Sequence, residues 1–252
     1  MEADHLLFSR VPWDTRLFGF PVFTLESWQI SEDSKDSASR EWPSAALHAI
    51  GSQRALLTGR VPANEVALRG VLNLLPMAIV EWTLHPVLDL RSYELSIEPK
   101  VQIRVALRED RQWLRVQAGG AFEVSRFFRD PLVPKNVARK RFESWVESAL
   151  EDPAKDVLIF ENDRKEPLGF FVVSSSEGIA HLELTAIADS KRGQGWSLAV
   201  WEAFLLKAKA SGLSSVTTNI SAENSAVVGI YPKLGFRFGQ SSVAMHGHFN
   251  NH

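Results

Sequence analysis

The segment Arg192-Gly-Gln-Gly-Trp-Ser197 sits between a strand-like run, residues 179–187, and a run with helical spacing from residue 198 onward. A glycine-rich turn presents successive backbone N–H groups, and the unpaired N–H groups of a helix start continue them. Together they make a concave positive site suited to phosphate. Gly193 and Gly195 let the backbone come close to an anion. Two better-known phosphate loops fail: no Lys-Ser/Thr pair follows the glycines, and no third glycine stands at the dinucleotide spacing. The plain alternative is a turn that only joins a strand to a helix.

The strand before this turn reads Ile-Ala-His-Leu-Glu-Leu-Thr-Ala-Ile, so alternation puts His181, Glu183 and Thr185 on one face and Leu182, Leu184 and Ala186 on the other. A central strand covered on both sides would be apolar throughout, and the polar row therefore suggests a solvated cleft. The simpler reading is an exposed face with Glu183 in water. His246-x-His248 has the spacing of two ligands on one strand face. Such a pair near a terminus is more often incidental, and no metal is expected. Arg126 and Arg129 flank two phenylalanines and precede Asp130. Guanidinium groups grip diphosphates and carboxylates through paired, charge-assisted bonds, although a salt bridge to Asp130 is an equal reading.

The elements that must position these groups are mixed α/β. Residues 21–28 and 54–61 look like strands, residues 64–75 have helical spacing, and Trp13 to Pro21 reads as a packed opening strand. Residues 31–44 are rich in Ser, Asp and Glu and read as an exposed loop. A second phase starts near Pro99, which places one boundary between residues 1–98 and 99–252. It opens with a strand at 101–106, a capped helix start at Arg108-Glu-Asp, and a helix over 135–150. A hairpin over 157–173 follows, then the strand and turn already described. The next helix carries an apolar stripe of Leu198, Trp201, Leu205 and Ala208. A strand at 214–220, a short helix at 225–234 and a closing strand at 237–245 complete the reading.

Composition narrows the chemistry. In 252 residues, 28 Lys and Arg stand against 30 Asp and Glu, a formal charge of −2, so no global field holds nucleic acid or anionic lipid. There is no cysteine, which removes disulfides, thiolate-ligated metal and any acyl-cysteine intermediate. The start of the chain is acidic, and the most apolar stretch, residues 71–84, is interrupted by Pro76 and Glu81. A soluble cytoplasmic protein without nucleic-acid or membrane partners is the expectation.

Downstream of the turn stands Asn224-Ser-Ala-Val-Val-Gly-Ile-Tyr231-Pro-Lys-Leu-Gly-Phe236. With these two segments in order, the sequence resembles the GNAT acetyltransferase superfamily over roughly residues 101–246. That family's Arg/Gln-x-x-Gly-x-Gly/Ala motif is matched by Arg192, Gly195 and Ser197, with serine in the last place. Its Asn, Tyr and Leu-Gly-Phe are matched by Asn224, Tyr231, Leu234, Gly235 and Phe236. The resemblance implies a GNAT fold, a mixed and mostly antiparallel sheet flanked by helices, preceded by a smaller α/β domain. It implies acetyl-CoA as cosubstrate, with the pyrophosphate wrapped by Arg192, Gly193, Gln194, Gly195, Trp196 and Ser197. It implies too that main-chain N–H groups around Ala186 to Ala188 bond the thioester oxyanion and the pantetheine, with Ile187, Ala188 and Asn224 among the cofactor contacts.

The reaction the resemblance implies is direct attack of a substrate amine on the thioester. Tyr231 is the candidate acid for the departing thiolate, since a phenol of pKa about 10 is close to it in basicity. The chain has 15 Phe and 2 Tyr, so phenylalanine is its usual packing aromatic. A core tyrosine is the alternative. Glu183 is the candidate base, directly or through water, and His181 a substrate contact. Pro232 directly after Tyr231 is expected to bend the short helix.

The Trp13-to-Pro21 segment and Ser125-Arg-Phe-Phe-Arg-Asp-Pro131 together resemble a narrower set, the dTDP-fucosamine acetyltransferases. This implies a dTDP-linked deoxyamino sugar as the small-molecule acceptor, with Arg126 and Arg129 in contact with it. The N-terminal domain then serves as substrate cover or as a homodimer surface. Other acceptors left open are amino acids, polyamines and peptide amines, and a non-catalytic acyl-CoA-binding module is a further alternative.

Overall fold

A computed structural model describes residues 5–30, 54–94 and 100–249. The loop expected at 31–44 and the boundary expected at Pro99 lie outside the described residues. The chain forms two compact units, each drawn from separate stretches. The first comprises residues 1–83, 125–137 and 240–252, and the second comprises 84–124 and 138–239. The division is thus interleaved and differs from a single cut at residue 98.

In the first unit, β1 (His5–Arg10) leads into α1 (Pro12–Phe18), where the sequence suggests an extended opening. Pro12 starts the helix, a position where its missing N–H costs nothing. Gly19 ends it at φ 74°, with its N–H bonded to Thr15 O. Then come β2 (Val22–Gln29), β3 (Ala55–Pro62) and α2 (Val66–Leu74). β1 and β2 are antiparallel, whereas β2 and β3 run parallel. β3 also pairs antiparallel with residues 242–249 at the end of the chain. One apolar face of α2 buries Leu68 and Leu72 with Leu25, Leu57, Val61, Met77, Val243 and Met245.

β4 (Ala78–Asp89) is a strand that periodicity misses, because Pro76 and Glu81 break the apolar run in which it lies. Its last residues, Val87 to Asp89, pair with the second unit's β9. That unit continues with β5 (Gln102–Val105) and α3 (Arg111–Ala121), whose start is held as the acidic turn suggests. Asp110 accepts from Leu107 N at 2.7 Å and pairs with Arg104 at 2.6 Å. The chain passes through α4 (Arg126–Arg129), which belongs to the first unit, into α5 (Lys135–Glu151). Next are the hairpin β6 (Lys155–Glu161) and β7 (Pro167–Ser176), then β8 (Ile179–Ile187) and α6 (Trp196–Ala210). β9 (Ser215–Thr218), β10 (Ile220–Ser221), α7 (Ser225–Ile230) and β11 (Arg237–Phe249) complete the order.

Within the second unit the strands lie side by side as β4-β9-β8-β7-β6-β5, antiparallel except for the parallel β8–β9 pair. This is the mixed, mostly antiparallel sheet expected from the sequence. α6 covers it with Val200, Trp201, Phe204, Leu205 and Ala208. Leu198, expected in that stripe, is 37% exposed, because the inward face begins one turn later.

Two local features shape β8. Its register against β7 slips at Glu183: Val172 faces Leu184 while Val173 faces Leu182. Glu183 is therefore the extra residue of a β-bulge, which bends a strand and sharpens its twist. At Gly169 on β7 the strands approach so closely that a Cβ would meet Ala186 O at 2.4 Å. Gly169→Ala should therefore destabilise the fold by about 1–3 kcal/mol in urea melts, an overpacking effect. Gly70→Ala, in α2 with open space around it, should be neutral or gain about 0.5–1 kcal/mol. Equal responses at the two positions would count against the close approach.

Candidate active site

β8 is paired on both edges only over its first half. The parallel ladder to β9 runs from Ile179–Ser215 to Leu182–Thr218 and stops, while the pairing to β7 continues to Ile187. The bulge at Glu183 falls at the first residue past that last pair. Beyond Thr218 the chain turns away into β10, which pairs with β4. The β9-facing edge of residues 183–186 is left without a neighbouring strand.

Tyr231 opens the 3₁₀ turn Tyr231–Leu234 that follows α7. Pro232 does not bend a continuous helix; the α-helix ends at Ile230 and the tighter turn takes over, since proline cannot donate the next helical bond. The Tyr231 ring is fully buried. It stacks on Phe236 at 4.7 Å and meets Trp201 edge-on at 5.1 Å. Each such pair is worth about 0.5–1.5 kcal/mol beyond burial and fixes the ring's direction. Its hydroxyl oxygen is buried near the Thr185 and Thr218 side chains, without a hydrogen bond of good geometry to either. Burial pushes the phenol well above its ordinary value, with Thr185 and Thr218 acting in the opposite sense.

Glu183 is half-buried and engaged. Its Oε2 accepts from Lys155 Nζ at 2.7 Å and from Trp145 Nε1 at 3.1 Å. Oε1 has no partner among the described residues. The polar row is present as the alternation indicates, with His181, Glu183 and Thr185 half-buried between buried neighbours. Glu183 is not the solitary carboxylate that spacing suggests, since its two partners come from α5 and β6. His181 Nε2 lies 3.1 Å from Ser176 Oγ at the start of the strand.

The glycine turn has the expected conformation. Gly193 and Gly195 stand at φ 72° and 83°, the left-handed region, and Gly195 caps α6. The N–H groups of Gly193, Gln194, Gly195 and Trp196 have no partner among the described residues. Arg192 and Gln194 are exposed and bond back onto the turn. Arg192 pairs with Asp189 at 2.9 Å and donates to Ile187 O at 3.3 Å, and Gln194 donates to Ser190 O at 2.7 Å. Gln117 receives Asp189 N, and Lys191 pairs with Glu166. Backbone makes the cradle, side chains brace it, and Trp196 and Ser197 supply the first helical turn.

Three other expected contacts read differently. The Ala188 N–H is committed to Leu168 O at 2.8 Å, so Ala188 aims the chain and offers no donor. Asn224 caps α7, with Oδ1 accepting from Val227 N at 3.3 Å. Arg126 and Arg129 lie on α4 in the first unit; Arg126 is half-buried with its guanidinium 4.9 Å from the Phe127 ring, and Arg129 is exposed. Asp130, suggested as a salt-bridge partner for them, holds His246 and His248. Trp145, Lys155 and Trp201 were missed by sequence reasoning. Only their helical or strand periodicity marks them, and it marks core positions equally.

Comparisons with known proteins agree with this geometry. The acetyltransferase (GNAT) domain family matches residues 132–248. Over 109 residues the chain is 30% identical to a peptidyl-lysine N-acetyltransferase, YjaB, of Salmonella typhimurium, covering 43% of this chain and 68% of the relative. A GCN5-related N-acetyltransferase from Sphaerobacter thermophilus superposes with a TM-score of 0.66 at 12% identity, over 98% of this chain and 77% of that one. A functionally unknown conserved protein from Staphylococcus epidermidis gives 0.65 at 14%, over 99% and 93%. These two structures carry the fold alone. No helix among the described residues is long and apolar enough to cross a membrane.

The loop yields a direct test. Gly195→Val forces a β-branched residue into the left-handed region, at a cost of about 1–2 kcal/mol or more. Coenzyme A binding by calorimetry should weaken about tenfold or more, and unchanged affinity would put the anion elsewhere.

Proposed function

The chain belongs to the GNAT family of N-acetyltransferases and is an acyltransferase, and from that premise we propose that it transfers acetyl from acetyl-CoA directly to a primary amine with both substrates bound. The observation that carries this reading is the Tyr231 hydroxyl, buried and aimed by aromatic packing. Acetyl-CoA supplies an acyl thioester whose carbonyl carbon accepts the amine and whose sulfur leaves as thiolate. The chain's residues fit it. The open N–H groups at 193–196 suit its pyrophosphate, and the unpaired edge of β8 suits the amides of its pantetheine arm.

Three tasks fall to protein groups. Main-chain donors on the open edge of β8 stabilise the oxyanion as the C–N bond forms. Glu183, through its open Oε1 or an intervening water, takes the proton released by the amine. Lys155 and Trp145 fix its carboxylate from the other oxygen. Tyr231 then gives its proton to the departing thiolate as the C–S bond breaks. Because burial raises its pKa, Tyr231 keeps that proton through neutral and mildly alkaline pH. No alkaline fall in kcat from Tyr231 is expected below about pH 10.

For the acceptor, the proposal is the amino group of a dTDP-linked deoxyamino sugar. It rests on the resemblance of the Trp13-to-Pro21 and Ser125-to-Pro131 segments, whose Arg126 and Arg129 have the chemistry to hold a diphosphate. A peptidyl-lysine acceptor is the second reading, favoured by the Salmonella relative. Release of free CoA thiol across dTDP-amino sugars, lysine peptides and polyamines separates them, the sugar being the expected substrate. Turnover confined to lysine peptides would overturn the sugar. Tyr231→Phe should lower kcat about 100-fold while leaving acetyl-CoA affinity within about twofold. Full turnover by that variant would remove Tyr231 as the acid.

A further inference from the structure

The histidine pair at the end of the chain is not used by the transferase site, and in the fold it has company. His246 and His248 sit two residues apart on β11, so both rings point to one side of the strand. Asp130, 116 residues earlier and just past α4, reaches the same place within the first unit. Its Oδ2 lies 2.7 Å from His246 Nδ1 and 2.7 Å from His248 Nε2. We propose that Asp130, His246 and His248 form a binding site for one divalent first-row transition-metal ion, with zinc as the best fit.

The donor set is two imidazole nitrogens and one carboxylate oxygen, borderline ligands that suit zinc, cobalt or nickel better than magnesium or calcium. The three ligand atoms fall within 4.8 Å of one another. Ligand bonds of about 2.0–2.2 Å at tetrahedral angles put neighbouring donors about 3.3–3.6 Å apart, so the two histidine–carboxylate contacts need to open by roughly 0.6–0.9 Å. The setting is closed but reachable: the Asp130 and His246 side chains are 3% and 1% exposed, and His248 is 13% exposed.

The surroundings hold the ligands in place. Asp130 Oδ1 accepts from Leu132 N at 2.9 Å, which leaves Oδ2 turned to the rings. Phe127 packs on His246 at 5.0 Å. Gly247 sits between the two ligands where a Cβ would meet Met77 Cγ at 2.8 Å, so β11 is seated tightly at this point. Without an ion a single carboxylate oxygen serves both rings, and the second nitrogen of His246 is buried without a bond. With three protein ligands, a fourth position falls to water, and the ion ties the end of α4 to the last strand.

The full chain, stripped by a chelator, should bind one Zn²⁺ by calorimetry and develop visible absorption with Co²⁺. His248→Ala, at the least buried of the three ligands, and Asp130→Asn should each weaken Zn²⁺ at least about tenfold. On the wild-type chain, ¹⁵N spectra of the imidazoles should show Zn²⁺ shifting His246 Nδ1 and His248 Nε2, a result independent of how the variants fold. Absence of saturable binding, affinity unchanged in a folded His248→Ala, or ring nitrogens that do not respond would each overturn the proposal and leave a hydrogen-bonded clasp.

Discussion

The parting of β8 from β9 is the constraint on which the second unit's chemistry depends. A sheet strand normally spends both rows of its backbone polar groups on neighbours, and an unpaired row inside a protein is expensive. Here one extra residue, Glu183, is inserted just past the last β8–β9 pair. The bulge bends β8 while β7 stays with it, helped by a glycine at the closest approach. One strand thus keeps its structural partner on one side and leaves the second half of its other edge without a strand ladder.

The remaining groups divide the work between backbone and side chain. In the turn before α6, Arg192 and Gln194 bond carbonyls of the turn and the strand end, so what the turn leaves open is its N–H groups, set by glycines in the left-handed conformation. Around Tyr231 the division is reversed. Backbone ends the helix, and a stack of Trp201, Phe236 and the tyrosine ring sets where the hydroxyl lies. Glu183 joins the two schemes: its main chain makes the bulge and its carboxylate is held by α5 and β6.

The local signals were legible in proportion to how local they are. The span of β8, the glycine turn and the mixed antiparallel sheet follow from alternation, glycine spacing and motif order, and the structure has all three. The opening segment around Trp13 becomes a helix because Pro12 and Gly19 cap it, a signal present in the sequence but overshadowed by its aromatics. Contacts spanning long separations were beyond reach. The Lys155 and Trp145 partners of Glu183 are 28 and 38 residues away, and Asp130 meets histidines more than a hundred residues on. The single boundary near residue 98 reflects the same limit, since no composition shift marks strands and helices that two units share.

The pairing of β3 with the end of the chain also dictates an order of events on the ribosome. β3 is mostly apolar and buried, yet the strand that covers one of its edges, residues 242–249, is made long after it. Roughly 180 residues must be synthesised in between, which at about 5–20 residues per second takes roughly 10–35 seconds. Throughout that interval a bare, hydrophobic edge waits for its neighbour, the kind of surface that invites aggregation or a holding chaperone. The first unit is thus begun by residues 5–62 and closed only once residues 242–249 have been made.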